Sequence, residues 1–273
     1  MTKKILVVLG TRPEAIKLSL LINNLVNDKR FETKVCVTAQ HREMLDDVLN
    51  LFEIKPDYDL NIMKSGIDLN NTAAKILTGL NGILEQFKPE IIIVQGDTTT
   101  VLAAALASYY KQIPIAHVEA GLRTGEIYSP WPEEGNRQMT TAITKYHFAP
   151  TTSARDNLLK ENVNSNNIFI TGNTVIDSLL WIQNKIQKDI NLTKKLDKEF
   201  SFIDPNKNII LVTGHRRESF GQGFERICKA LSEIAKKNKN VQIIYPVHLN
   251  PNVQKPVYKA LKNLNNIFLI EPQ

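Results

Sequence analysis

The chain opens with an apolar run and a glycine turn, Lys4-Ile5-Leu6-Val7-Val8-Leu9-Gly10-Thr11-Arg12-Pro13-Glu14. Residues 5–9 contain no polar position, which is typical of a parallel strand covered on both faces. Pro13 suits the first turn of a helix. Ligands of parallel sheets bind beyond the carboxyl ends of the strands, where helix amino termini offer N–H groups to anions. We therefore predict that this stretch forms one wall of an anion-binding active site.

Short β-branched runs alternate with helical patterns through the rest of the first half. The predicted strands are residues 5–9, 34–38, 91–95, 113–118, 147–149 and 168–171, and the predicted helices include residues 15–26, 43–51, 72–87 and 101–111. Strands that alternate with helices in this way form a parallel sheet with helices on both faces. The sequence therefore predicts an α/β fold.

The pattern restarts after a polar, lysine-rich segment at residues 189–208. Strands are then predicted at 209–213, 241–245 and 267–270, with helices at 224–237 and 253–264. This half also opens with a strand, a glycine and basic residues, Gly214-His215-Arg216-Arg217. We predict two Rossmann-like domains, residues 1–172 and residues 173–273, with a cleft between two basic turns. The second domain is smaller or incomplete, because it shows three strands against six.

Composition places the chain among globular proteins. Of its 273 residues, 42% are hydrophobic, which is enough for a packed core. Cys36 and Cys228 lie far apart in apolar stretches, a pattern that suits reduced thiols in a cytoplasm. No stretch approaches the ~20 apolar residues of a membrane span. The short apolar run at residues 5–9 is also too short for a secretory signal. We expect a cytoplasmic protein without a membrane partner.

The net charge of +6 raises the question of nucleic acid. The lysines are spread over predicted helix faces, and no aromatic residues are interleaved among them for base stacking. We therefore expect no nucleic-acid partner. The surplus of positive charge favours an anionic small substrate instead.

Three carboxylates follow predicted strands on the cleft side. Asp97 follows residues 91–95 after one glycine, Glu119 directly follows the strand at 113–118, and Glu133 lies in the loop beyond it. An alternative for Asp97 is a cap of the next helix, and an alternative for Glu133 and Glu134 is the first turn of a helix. A charge without a function is disfavoured at Glu119, because this residue ends an apolar strand and precedes a glycine.

Basic side chains accompany the carboxylates. Arg12 and Lys17 lie about one helical turn apart and together make a phosphate clamp. The alternative for Arg12 is a surface residue that covers a helix end. His117 shares the strand face of Glu119 but lies deeper in the sheet, so we interpret it as a structural neighbour. We interpret His147 as a packed histidine at a strand start.

The sequence gives no sign of a cofactor. No Gly-x-Gly-x-x-Gly pattern follows the first strand and no Walker-type lysine loop is present, which disfavours bound NAD or ATP. The spacing of histidines and cysteines does not match a metal site.

Seven stretches, in order along the chain, carry a family resemblance. They are GTRPEAIK at residues 10–17, GDTTT at 96–100, HVEAGLRT at 117–124, YSPWPEE at 128–134, ITGNTVID at 170–177, TGHRRE at 213–218 and PVHLNP at 246–251. The sequence resembles the non-hydrolysing UDP-N-acetylglucosamine 2-epimerases. The resemblance implies the glycosyltransferase-B arrangement of two Rossmann-like domains, a UDP-N-acetylglucosamine or UDP ligand, and a homodimer.

The resemblance also implies a reaction and its residues. UDP leaves C1 while a base removes the C2 proton, and UDP then adds back to the 2-acetamidoglucal as C2 is reprotonated on its other face. The implied catalytic residues are Asp97, Glu119, Glu133 and His215, and the implied substrate-binding residues are Arg12, Lys17, Arg137, His248 and Gln273.

Three departures separate this chain from the family pattern. The family continues past Gln273 with more of the second domain. Gln95 stands where a histidine is common. Residues 40–43, Gln-His-Arg-Glu, and the pair Ser65-Gly66 differ from the activator site of some bacterial members, so we expect no allosteric activation.

Other functions stay open at this point. A glycosyltransferase shares the two-domain plan, although three acids around one cleft argue against it. A hydrolysing epimerase releases free N-acetylmannosamine, but its opening motif differs from residues 10–17. A non-catalytic fragment that binds a nucleotide-sugar is the third alternative, because the family pattern extends beyond this chain.

Overall fold

The computed structural model describes residues 2–38, 42–62, 68–214 and 221–271. The chain divides into two compact units, Met1–Lys185 and Ile186–Gln273, and the division falls inside one helix, Thr174–Lys188. Each unit is built on a sheet of parallel strands, which confirms the predicted α/β class. The predicted domain boundary after Gly172 stays a prediction.

Within the part of the chain that the structure describes, the first unit contains a seven-stranded parallel sheet with the strand order β3-β2-β1-β4-β5-β6-β7. Its strands are β1 (Lys3–Leu9), β2 (Phe31–Val37), β3 (Tyr58–Asp59), β4 (Ile91–Gln95), β5 (Ile115–Val118), β6 (Tyr146–Ala149) and β7 (Ile168–Ile170). Its helices are α1 (Arg12–Asn27), α2 (Arg42–Leu51), α3 (Leu69–Phe87), α4 (Thr99–Tyr110), α5 (Glu133–Ile143), α6 (Thr152–Lys160) and α7 (Thr174–Lys188). All six strands predicted for this half are present.

Strand β1 is apolar and buried from Ile5 to Leu9, because both faces of the sheet are covered along this part of the strand. Leu6 and Val8 point into one core, which α3 and α4 share. Ile5, Val7 and Leu9 point into the other core, which α1 and α2 share. Successive side chains of a strand alternate between faces, so a strand at the centre of a doubly covered sheet has no solvent-facing position.

In its described residues, the second unit contains three parallel strands, β8 (Asn208–Leu211), β9 (Val241–Pro246) and β10 (Ile267–Ile270), in the order β10-β9-β8. Its described helices are α8 (Ile190–Glu199), α9 (Gln222–Lys237) and α10 (Pro251–Leu261). Its core joins Phe224 and Cys228 of α9 to Tyr245 of β9 and Val257 of α10. The Tyr245 hydroxyl donates to the Gly214 carbonyl at 2.8 Å, which ties the turn after β8 to the central strand.

Strand β3 and helix α8 are among the elements that the sequence patterns missed. Strand β3 has only two residues and pairs with β2 alone, so it leaves no periodicity to detect. Helix α8 lies within the polar segment 189–208, which we described only as lysine-rich. The Asp189 carboxylate accepts from the amides of Asn191 and Leu192 at its start, which is a helix-capping signal that the charge pattern obscured.

Gly10 is required by space in the turn after β1. A Cβ atom there would lie 2.3 Å from the Thr38 Oγ1 atom and 2.4 Å from the Thr100 Oγ1 atom. These two hydroxyls are hydrogen-bonded to each other at 3.0 Å and are buried. The turn therefore approaches the end of β2 and the first turn of α4 too closely for any side chain.

We predict that Gly10→Ala lowers the free energy of unfolding by about 1–3 kcal/mol, because the added methyl group must displace two buried hydroxyls. Urea unfolding followed by tryptophan fluorescence measures this. Trp131 and Trp181 are the chain's two tryptophans and both lie in the first unit. The control is Gly82→Ala in α3, which meets no atom within 4 Å and should stabilise the helix by about 0.5–1 kcal/mol. Equal effects of the two substitutions would contradict the steric argument.

Candidate active site

The carboxyl ends of three adjacent strands gather the candidate residues. Strand β1 pairs with β4, and β4 pairs with β5, so the segments that follow these strands are neighbours. Arg12 and Lys17 lie on α1 after β1, Asp97 follows β4, and Glu119 follows β5. This placement agrees with the rule that ligands of parallel sheets bind beyond the carboxyl ends of the strands.

Arg137 joins the two carboxylates. Its Nε atom donates to Asp97 Oδ2 at 2.9 Å, and its Nη2 atom lies 2.8 Å from the same oxygen and 3.0 Å from Glu119 Oε1. Its Nη1 atom donates to the Glu119 carbonyl at 2.6 Å. The guanidinium is 7% exposed, so one buried cation separates two carboxylates on neighbouring strand ends. The opposite charge offsets the repulsion between them.

Glu119 is held at both carboxylate oxygens. Arg137 contacts Oε1, the Lys17 ammonium contacts Oε2 at 2.5 Å, and the Asn173 side-chain amide donates to Oε2 at 3.3 Å. The backbone of Glu119 has a φ of +65°, which a non-glycine residue seldom adopts. The side chain is 8% exposed. These partners and this backbone geometry together hold the Glu119 carboxylate in one orientation.

Asp97 is more open than Glu119. Its side chain is 30% exposed, and both contacts from Arg137 fall on Oδ2, which leaves Oδ1 without a hydrogen bond from any described residue. The alternative that Asp97 caps the next helix is wrong. Thr98 is the N-cap of α4, and its hydroxyl accepts from the Val101 amide at 3.4 Å.

Glu133 and Glu134 form the first turn of α5, as the structural alternative for them predicted. Glu134 is buried and accepts from the Thr124 amide at 3.1 Å. Burial raises the pKa of Glu134, but this hydrogen bond and others lower it by more, so that its net shift is downward. Glu133 is half-buried, and no hydrogen bond or ion pair joins its carboxylate to another described residue. It lies one helical turn from Arg137 on the same face of α5.

We had expected the turn after β1 to offer its backbone amides to an anion. The structure differs, because a side chain of the protein already accepts from two of these amides. The Gly10 and Thr11 amides each donate at 2.7 Å to Glu14 Oε2, and Glu14 Oε1 accepts from the Thr98 hydroxyl at 2.5 Å. Burial is the largest influence on Glu14 and raises its pKa above the usual value, although these hydrogen bonds act in the opposite direction. The positive groups of this wall are therefore side chains, those of Arg12 and Lys17.

His117 and His147 are packed histidines, as interpreted from the sequence. The Nε2 atom of His117 lies 2.7 Å from the Gly96 carbonyl, and the ring is fully buried. Burial lowers the pKa of His117 to about 3 and that of His147 to about 4, so both rings are neutral near pH 7. His117 thus supports the turn that carries Asp97 and takes no charge itself.

The remaining candidates lie elsewhere. His248 is exposed after β9 in the second unit, where its Nδ1 atom accepts from the Asn250 amide at 3.1 Å. His215 and Gln273 lie outside the described residues.

Sequence reasoning missed two residues of the site region, Glu14 and Asn173. Glu14 had a signal, because Thr11 followed three residues later by Glu14 has the spacing of a capping box. Asn173 lies in the family stretch at residues 170–177, but no local pattern connects it to Glu119, which lies 54 residues earlier, and only the fold brings it to that carboxylate.

The fold and this site define an α/β protein whose adjacent strand ends carry two carboxylates held by a buried arginine. A family model described as UDP-N-acetylglucosamine 2-epimerase matches residues 23–273. The chain belongs to the UDP-N-acetylglucosamine 2-epimerase family.

Individual relatives agree with this assignment. The UDP-N-acetylglucosamine 2-epimerase of Yersinia pestis is 60% identical over 270 residues, which cover 99% of this chain and 72% of that protein. A crystal structure of the Neisseria meningitidis enzyme bound to UDP-GlcNAc matches 99% of this chain and 72% of its own, with a TM-score of 0.94 and 49% identity. A crystal structure of the Methanocaldococcus jannaschii enzyme in complex with UDP-GlcNAc and UDP matches 98% of this chain and 73% of its own, with a TM-score of 0.80 and 32% identity. The matches cover both units and confirm the predicted Rossmann-like class.

We predict that acid destabilises the first unit partly through His117. Its pKa is about 3 when folded, below the ~6.5 of an unfolded histidine, so only the unfolded chain takes up this proton as the pH falls from 6.5. The ring's contribution to stability is therefore complete above pH ~6.5 and is lost progressively towards pH 3. Between pH 6.5 and 5 the loss should reach up to about 2 kcal/mol.

His117→Gln isolates this contribution, because a glutamine amide can still donate to the Gly96 carbonyl but does not titrate. Urea unfolding followed by tryptophan fluorescence at pH 6.5 and pH 5 gives the loss for each protein. The natural chain should lose more stability than His117→Gln over this interval. The same loss in both would contradict the burial of a neutral ring.

Proposed function

We propose that the chain is a non-hydrolysing epimerase that interconverts UDP-N-acetylglucosamine and UDP-N-acetylmannosamine at C2, by elimination and re-addition of UDP. Membership of the family supports the reaction, and the UDP-GlcNAc in the Neisseria meningitidis relative supports the substrate. The observation that carries the proposal is the pair Asp97 and Glu119 on adjacent strand ends, held by the buried Arg137.

The chemistry explains why paired carboxylates are needed. The C2 hydrogen of the sugar is not next to a carbonyl group, so it is not acidic, and its inversion requires oxidation or elimination. In an elimination, the base takes the C2 proton while the C1–O bond breaks and its electron pair leaves with UDP. Re-addition from the glucal then needs an acid that delivers a proton to the opposite face of C2. General acid–base groups of this kind contribute about 10²- to 10⁴-fold to a rate.

Within the pair, Asp97 is the better proton carrier. A carboxylate that exchanges a proton with substrate needs an oxygen that is not saturated by protein donors, and Oδ1 of Asp97 meets this condition among the described residues. Both oxygens of Glu119 already accept from cations. We assign one proton transfer to Asp97 and the second acid–base role to Glu119 and Glu133. Arg12, Lys17, Arg137, His215, His248 and Gln273 are assigned to contacts with the substrate.

Lys17 connects the proposed proton transfer at C2 with the proposed binding of the UDP phosphates. Its ammonium contacts Glu119 Oε2, yet an ammonium has three N–H donors and can contact a phosphate oxygen at the same time. A positive group shared between the leaving UDP and an acid–base carboxylate couples departure of the anion to the state of that carboxylate.

Incubation with UDP-N-acetylglucosamine in deuterated water tests the proposed reaction. Deuterium at C2, together with UDP-N-acetylmannosamine in the NMR spectrum, is the expected result. Release of free N-acetylmannosamine would identify a hydrolysing enzyme. Absence of C2 exchange in this chain would contradict the proposal.

We predict that Asp97→Asn reduces C2 exchange by about 10²- to 10⁴-fold, because the amide cannot take up the proton. The fold should persist, since the asparagine oxygen can still accept from Arg137. Tryptophan fluorescence and urea unfolding check this. The matched control is Asp197→Asn on the exposed face of α8, which should exchange at the natural rate. Full activity of Asp97→Asn would remove Asp97 from the acid–base assignment.

The remaining parts of the proposal concern assembly and location. The family resemblance supports a homodimer, which light scattering tests as a mass of two chains. The two cysteines are unpaired and buried, which agrees with the proposed cytoplasmic location. Within the described residues, no helix has the length and apolar character needed to cross a membrane.

A further inference from the structure

Glu14 is a buried carboxyl group with no part in the proposed proton transfers. It is 3% exposed, so it does not reach a substrate. Its two oxygens accept from three donors, which are the amides of Gly10 and Thr11 and the hydroxyl of Thr98. A buried acidic group is tolerated in a folded protein when its oxygens accept hydrogen bonds. Each of the three donors to Glu14 belongs to a segment that forms the site.

The three donors come from two different segments. Gly10 and Thr11 form the turn that leads to Arg12, while Thr98 directly follows Asp97. Residues 14 and 98 are 84 positions apart in the chain, so this contact depends on the fold and not on local sequence. Glu14 is therefore the side chain that joins the Arg12 turn to the Asp97 turn.

Among the described residues, the hydrogen bonds to Asp97 itself come from α5, while His117 of β5 contacts the carbonyl of the preceding Gly96. Arg137 contacts the Asp97 carboxylate, and the Asn136 side-chain amide donates to the Asp97 carbonyl at 2.8 Å. The bond between Thr98 and Glu14 holds the same turn from the side of α1. The contact from α1 adds a further restraint to those from α5 and β5, which matters because a displacement of ~1 Å can cost about 10²-fold in rate.

We propose that Glu14 is a positioning residue of the reaction, which acts through the Thr98 hydroxyl to hold Asp97 in place relative to Arg12. This inference rests on the proposed function. It differs from a purely structural role, in which Glu14 only caps α1 and its loss lowers stability without changing the rate of the folded enzyme.

Thr98 gives the first test. Thr98→Val removes the hydroxyl that donates to Glu14, while Thr98→Ser keeps it. We expect Thr98→Val to lower kcat by about tenfold or more and Thr98→Ser to restore most of it. Thr98→Val also removes an N-cap, so the matched control is Thr151→Val, which removes the hydroxyl that caps α6 by accepting from the Ala154 amide at 3.1 Å. The proposal would be overturned if kcat fell equally in Thr98→Val and Thr151→Val, or if it did not fall in Thr98→Val.

A double-mutant cycle tests whether Glu14 acts through Thr98. Glu14→Ala should lower kcat at least as much as Thr98→Val, and the double variant should be no slower than Glu14→Ala alone. Glu14→Gln should keep most of the rate, because its amide oxygen accepts from both turn amides and its NH₂ group donates to Thr98. Independent, multiplicative effects of Glu14→Ala and Thr98→Val would show that the two residues act separately and would overturn the proposal.

Two further measurements separate this proposal from the proposed function. In Thr98→Val the Kd for UDP should stay within about twofold while kcat falls, because a displaced proton carrier affects the chemical step and not ground-state binding. The backbone amide resonances of Gly96 and Asp97 should shift in Thr98→Val and Glu14→Ala but not in Thr151→Val, a result that does not require turnover. Unchanged resonances would refute positioning even in an active enzyme. A natural chain without C2 exchange would instead refute the proposed reaction.

Discussion

The contact on which the site depends is the buried Arg137 guanidinium between Asp97 and Glu119. It reaches carboxylates that follow two neighbouring strands, and it also holds the Glu119 carbonyl, so that one side chain of α5 fixes the ends of β4 and β5. A cation this deeply buried is tolerated only when it is fully paired, and removal of one partner from such a group typically costs about 3–5 kcal/mol. The stability of this region and the arrangement of Asp97 and Glu119 therefore depend on the same contacts.

The turn after β1 shows how a familiar strand–turn–helix unit is adapted. In many nucleotide-binding proteins the amides of such a turn hold a phosphate group. Here the Glu14 carboxylate occupies the amides of Gly10 and Thr11, and Gly10 is packed against Thr38 and Thr100 without room for a side chain. The turn thus holds Arg12 and the start of α1 in place. Because its Gly10 and Thr11 amides are already hydrogen-bonded, an anion bound here would be contacted by side chains.

The sequence was sufficient for the parts of the molecule that depend on local pattern. Central strands such as β1 were recognisable because their segments buried on both faces, Ile5–Leu9 in β1, contain no polar position. Asp97 and Glu119 were recognisable because they follow such strands. Contacts between distant residues were not accessible. Lys17 was expected to face a phosphate as a neighbour of Arg12 but is paired with Glu119, 102 positions away. The two-residue strand β3 was too short for its pattern to differ from that of a loop.

The charges that touch one another in the site, Lys17 and Arg137 against Asp97 and Glu119, sum to zero. A neutral cluster produces little field at distances beyond its own size, so it gives little attraction to a negatively charged ligand that is still in solution. Long-range capture must then depend on the rest of the surface, and the chain as a whole carries a formal charge of +6. The speed of encounter and the chemistry that follows are thereby controlled by different sets of residues. Ionic strength acts mainly on the first of these, through screening of the distant lysines.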